Sequence, residues 1–145
     1  MPEKTNAKKL SRAEQRELDT KIEFIEGLVR RDPQYVDALQ ILGDHYTQRG
    51  RIAEGLHVDE KLAQLEPENP VVFYNLACSC SLTQEYDRAV AALHKAMELG
   101  YRDFTWLAKD PDLKNLRDHP AYEEIRTRIR LLKDEARRSE SGEAC

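Results

Sequence analysis

No run of apolar residues in this chain of 145 approaches the length needed to cross a bilayer. The opening MPEKTNAKKLSRAEQ holds nothing like the apolar centre of a secretory signal. Cysteine is scarce: Cys78, Cys80 and Cys145 make an odd number with a single Cys-Ser-Cys, which is no disulfide framework and favours a reducing compartment. Positive charge is not in excess, with 23 Lys and Arg against 27 Asp and Glu and a net charge of -4. That balance argues against nucleic acid as a partner, because neutralising phosphates needs a basic surface. The six glycines form no phosphate-cradling loop, and neither a serine nucleophile elbow nor an HExxH pair is present. His45, His57, His94 and His119 are scattered without ligand spacing, so no metal and no cofactor is expected. Glu23, Glu26, Glu60 and Glu66 read as charges on helix surfaces, with no pair singled out for acid–base work. The expectation is a soluble cytoplasmic domain that is not an enzyme and that needs neither membrane nor nucleic acid.

What the chain has in abundance is helical periodicity. Residues 1–10 are polar and read as a disordered tail. Ser11-Arg12-Ala13-Glu14 has the Ser-x-x-Glu form of a capping box, and Leu18, Ile22, Ile25, Leu28 and Val29 then recur at helical spacing as far as Asp32-Pro33. Leu39, Leu42, Gly43 and Tyr46 form the next stripe, and an interior glycine there makes sense where another helix comes close. After the Arg49-Gly50 turn, Ile52, Gly55, Leu56, Leu62 and Ala63 face inward until Pro67. Val72, Phe73, Leu76, Ala77 and Cys80, then Tyr86, Ala89, Val90, Leu93, Ala96 and Met97, repeat the layout before Gly100. Leu42-Gly43 and Leu76-Ala77 lie 34 positions apart, as do Gly55 and Ala89, Leu56 and Val90, and Leu65 and Leu99.

On these residues the chain resembles the tetratricopeptide repeat family, whose period is 34. Residues 36–69 and 70–103 resemble two full units, and 14–33 the second helix of a unit before them. The third unit departs from the pattern: Asp110-Pro111 stands where another Leu-Gly pair would fall. Residues 104–138, with Phe104, Trp106, Leu107, Leu113 and His119-Pro120 ahead of a final helix, resemble the degenerate closing segment of small bacterial members of the family, a cap over the last repeat. Tyr122, Ile125, Ile129 and Leu132 are the seam of that final helix. Residues 139–145 read as a frayed tail. The implied fold is an all-α solenoid of helical hairpins, about two and a half repeats with a C-terminal capping helix, occupying 11–138 as one domain.

The resemblance implies a protein-interaction module or adaptor that takes a peptide or protein segment in a concave groove. With the stripes turned inward, the groove should present Asp37, Gln40, Asp44 and Thr47 from the first unit, and Val71, Tyr74, Cys78 and Ser81 from the second, with Asn75 alongside. Tyr74 would supply an apolar contact, and Asn75 and Gln40 hydrogen bonds to a peptide backbone. Family members that grip chaperone C-termini use a clamp of lysines, asparagines and arginine. Only Asn75 fits it, and Asp37 and Asp44 would repel a terminal carboxylate, which leaves a basic or neutral peptide. Two other readings compete. Ile22, Ile25 and Leu28 could form an apolar N-terminal edge that self-associates into a homo-oligomer. A cleft at the cap around Trp106, Asp110, Asp112 and His119 could be catalytic. The basic runs Lys8-Lys9-Arg12 and Arg126 to Lys133 read as solvated faces, since acidic residues are interleaved with them and aromatics are absent among them.

Overall fold

The computed structural model describes residues 9–142, so the expectations for the first eight residues and for 143–145 lie outside the described residues. The chain is all-helical, with no strand among the described residues. Helix α1 spans Arg12–Arg31 and starts on a complete capping box, with the Ser11 hydroxyl accepting from the Glu14 N–H at 3.1 Å and Glu14 accepting from the Ser11 N–H at 3.0 Å. Helices α2 (Val36–Arg49) and α3 (Ile52–Leu65) form one antiparallel hairpin. Gly50 turns the chain between them at φ 85°, a left-handed conformation that suits glycine. Helices α4 (Pro70–Leu82) and α5 (Tyr86–Glu98) form the next. Asn69 caps α4 by accepting from the Val71 N–H, and Pro70 takes the first helical position, where no N–H is needed. Each helix packs on the one before it, so α1 to α5 stack in register as a helical solenoid does.

Two interior glycines set how closely the first hairpin closes. A Cβ on Gly43 would stand 3.3 Å from Asp59 Oδ1 and 3.4 Å from Val58 Cγ1, both on α3. A Cβ on Gly55 would stand 2.9 Å from Thr47 Oγ1. The second hairpin carries Ala77 and Ala89 at these positions, both fully buried. The outer junctions between hairpins carry matching charge clips. Arg88 on α5 bonds Glu85 at 2.9 Å and also reaches Glu60 on α3. One period earlier, Arg51 bonds Glu54 at 2.6 Å and lies 3.7 Å from Glu26 on α1. The charges at 51 and 54 are swapped at 85 and 88, and the clip is preserved. These pairs are at least partly exposed, so each adds little stability.

After α5 the repeat breaks. Gly100 (φ 111°) releases the chain into α6 (Phe104–Leu107), a 3₁₀ turn over Pro111–Leu113, α7 (Lys114–Arg117) and a second 3₁₀ turn over Pro120–Tyr122. The last helix, α8, runs Glu123–Glu140, two residues into the stretch read as a frayed tail. Its seam is as read from the sequence: Tyr122 and Ile125 are buried in the same core as α4 and α5, and Ile129 and Leu132 pack against it. One core joins Leu18, Ile22, Leu39, Leu42, Tyr46, Val58 and Leu62 at the N-terminal end. The other gathers Tyr74, Ala77, Leu93, Met97, Leu107, Leu113 and Leu116 under the cap. Each large aliphatic side chain buried there contributes about 1.5–3 kcal/mol.

Candidate binding face

The inner face is half open and half closed. On α2, Asp37 and Gln40 are exposed, and Asp44 is half-buried. Thr47 is not open as the stripe suggested. It is 1% exposed, and its hydroxyl donates to the Gly43 carbonyl one turn back at 3.1 Å, on the side that meets Gly55.

On α4 the expected groove residues are mostly core. Val71 is exposed and Asn75 half-buried, but Tyr74, Cys78 and Ser81 are sealed at 0%, 1% and 0% exposure. The reason is the cap. The 3₁₀ turn over Pro111–Leu113 and α7 lie directly on α4. The Tyr74 hydroxyl donates to Asp110 Oδ2 at 2.6 Å, and its ring stacks on Tyr101 with centroids 4.4 Å apart. Cys78 Sγ lies 3.7 Å from the same Asp110 oxygen. Ser81 Oγ accepts from the Leu116 N–H at 3.2 Å. These three positions, expected to meet a partner, meet the chain's own C-terminal segment instead. Burial, followed by Cys78 and the bond to Asp110, raises the Tyr74 phenol well above its ordinary value.

Asp110 is the keystone of this closure. It is 3% exposed, accepts from Tyr74 through Oδ2, and accepts from the Asp112 N–H through Oδ1 at 3.0 Å, which caps the 3₁₀ turn. Arg117 braces the same loop from the other side, donating to the carbonyls of Asp110 at 2.7 Å and Leu107 at 3.0 Å. Of the residues in the possible catalytic cleft, Asp110 is thus occupied by structural bonds. His119 is too: its Nδ1 accepts from the Ala121 N–H at 3.0 Å, and its ring stacks on Tyr86 at 4.2 Å. Trp106 is half-buried and Asp112 buried. Cys80 is a core residue as expected, and burial pushes its thiol up to about 11, away from reactivity.

Two features escaped the stripe reading. Asp59 on α3 is 2% exposed and accepts from Ser79 Oγ on α4 at 2.5 Å, where the repeat one period later has the buried Leu93. The Tyr46 hydroxyl donates to Glu26 on α1 at 2.5 Å, with Arg51 over its ring at 4.7 Å.

No family model matches the chain. It is similar to a chloroplastic protein of Arabidopsis thaliana, with 30% identity over 86 residues, which is 57% of this chain and 26% of that protein. It is also similar to the peroxisomal targeting signal receptors of Komagataella phaffii and Komagataella pastoris, each with 35% identity over 91 residues. That match takes in 61% of this chain and 16% of each receptor. The chain thus spans about a quarter or less of the relatives it matches. No helix among the described residues is long and apolar enough to cross a membrane.

Proposed function

We propose that this chain is a non-catalytic, tetratricopeptide-like interaction module acting in the cytoplasm, and that it takes a basic or neutral peptide segment on the open half of its inner face. The observation that carries the reading is the asymmetry of that face. Gln40 is exposed and Asp44 half-buried on α2, while their counterparts one period later on α4, Tyr74 and Cys78, are closed by the cap. Ile41 and Val71, at 45% and 41% exposure, give the open half apolar contacts beside its carboxylates. Similarity to receptors for a targeting signal, over 61% of the chain, supports a role in protein binding.

The test is selection from a displayed peptide library with the intact chain. Enriched peptides should be basic or neutral, and Asp37→Lys with Gln40→Ala should abolish their capture while helicity is unchanged. Enrichment of acidic peptides, or capture that survives the double variant, would sink the reading.

A second reading has its own observation. Phe24 on α1 is 68% exposed, with Ile25 and Leu28 half-buried on the same helix, an apolar edge suited to a second copy. Light scattering of the wild type against Phe24→Glu decides it: a monomer at every concentration removes it.

A further inference from the structure

The charges of α8 look interleaved along the sequence, but four of its basic residues fall on one stripe. Arg126, Arg130, Lys133 and Arg137 follow i, i+4, i+7 and i+11, which places them in one stripe. The stripe forms one wall of a cleft of about 460 Å³. Ala108, Arg117, Tyr122 and Ile129 complete its lining, and no carboxylate among the described residues lines it. The acidic residues of the first turn, Glu123 and Glu124, line a separate hollow with Asp87.

Parts of the basic wall are already held in place. Arg117 is fixed by two backbone carbonyls. The Arg126 guanidinium lies 4.8 Å over the Tyr122 ring and donates to the Arg117 carbonyl at 3.3 Å. Arg126 has Glu123 as an exposed partner at 3.3 Å, and Arg137 pairs with Asp134. Arg130 and Lys133 are exposed and make no ion pair among the described residues. Five cations beside Ile129, three of them (Arg117, Arg130 and Lys133) without an ion pair among the described residues, form a surface complementary to negative charge.

We propose that this cleft docks an acidic peptide segment, its carboxylates meeting Arg126, Arg130 and Lys133 and an apolar side chain resting on Ile129 and the arginine stems. Three observations favour a peptide over nucleic acid. The aromatic side chain of the cleft, Tyr122, is 4% exposed with its face taken by Arg126, so it offers no base-stacking platform. The chain carries a net charge of -4, and the Asp87, Glu123 and Glu124 hollow shares α8 with the cleft, which repels a long polyanion. The lining includes the apolar Ala108 and Ile129, as suits a side chain rather than a phosphate backbone. The site is separate from the α2 strip and independent of what that strip binds.

The experiment is fluorescence anisotropy with the full chain and three labelled probes: a peptide of glutamate and leucine, the same peptide with glutamine for glutamate, and a single-stranded oligouridylate. The acidic peptide should bind, more weakly as salt rises, and the glutamine peptide should not. Arg130→Glu with Lys133→Glu should weaken binding about tenfold or more, since removing two contacts and adding two repulsions exceeds about 1.4 kcal/mol. Both positions are exposed, and an unchanged circular dichroism spectrum shows that the fold is kept. Asp37→Lys should leave this binding as it was, which separates the cleft from the inner face. The proposal is overturned by no binding at about 1 mM protein, by equal binding of the glutamine peptide, by an unaffected double variant, or by tighter binding of the oligouridylate. Self-association that the double variant abolishes would give the cleft to a second copy and equally overturn it.

Discussion

Replacing Tyr74 with phenylalanine removes a single hydroxyl from the contact that closes α4. The ring keeps its place in the core and its stack on Tyr101. What is lost is the 2.6 Å bond to Asp110 Oδ2, together with the hydrogen bond the hydroxyl shares with Tyr101, in a site where the tyrosine is 0% and the aspartate 3% exposed. Water cannot replace the donor there, and the Cys78 thiol, 3.7 Å from that oxygen, is a weak one. A hydrogen bond to a charged group contributes about 1.5–3 kcal/mol, and the buried acceptor adds to the loss. Tyr74→Phe should therefore destabilise the chain by about 2 kcal/mol. With a urea m-value of about 1–3 kcal/mol/M, that is a fall of about 1 M in midpoint at unchanged slope. A cycle with Asp110→Ala should give a coupling of about the same size. Amide exchange in 104–122 should rise more than in α1 to α3, because the lost bond anchors the cap. A loss below about 0.5 kcal/mol, or no coupling in the cycle, would refute the role given to Asp110.

Two further outcomes follow from residues outside the cap. His45 is held below its ordinary value of 6.5 by burial and by the Lys21 charge. The unfolded chain then binds its proton before the folded one, so this stabilisation is present above about pH 6.5 and is lost as pH falls through the lower folded value. His45→Gln should flatten the fall in thermal midpoint between about pH 7 and 5, and a fall as steep as in the wild type would contradict it. Ser11→Ala removes one side of the capping box on α1 and should cost about 1 kcal/mol in urea unfolding. A change within error would mean that the N-terminal turn is frayed in solution.

The helices were legible in the sequence because their apolar residues recur at helical spacing and their ends carry punctuation. The Ser11 capping box, the stop at Asp32-Pro33, the Gly50 turn and the stripe of α8 all stand where the residues indicated. The exposure of Asp37 and Gln40 on α2 was legible for the same reason. Tyr74, Cys78 and Ser81 were misread because a helical stripe says which side faces the adjacent helices, not whether the opposite side is covered by something later. The covering segment, 101–117, is aperiodic, and its closure runs through Asp110 and a backbone N–H, which no spacing reveals. One signal was present: α4 is apolar nearly all round, from Val71 to Leu82, and a helix apolar on every side is a buried one. Asp59 was missed because a lone acid on α3 reads as surface until its partner Ser79 is placed against it. The basic cleft was missed because charge counted along a chain hides its division between faces.

The closure of α4 by the cap can be measured at Cys78 itself. In a chain carrying Cys80→Ala and Cys145→Ser, Cys78 is the single thiol, and its modification by a maleimide reports directly on whether the inner face of α4 is open. Cys78 is 1% exposed beneath Asp110, so labelling in native buffer should be slow, limited by opening of the cap, and Asp110→Ala should speed it many-fold with α1 to α3 still folded. Labelling as fast as a free thiol in the parent chain, with no change on Asp110→Ala, would show an open groove on α4 and contradict the half-closed face.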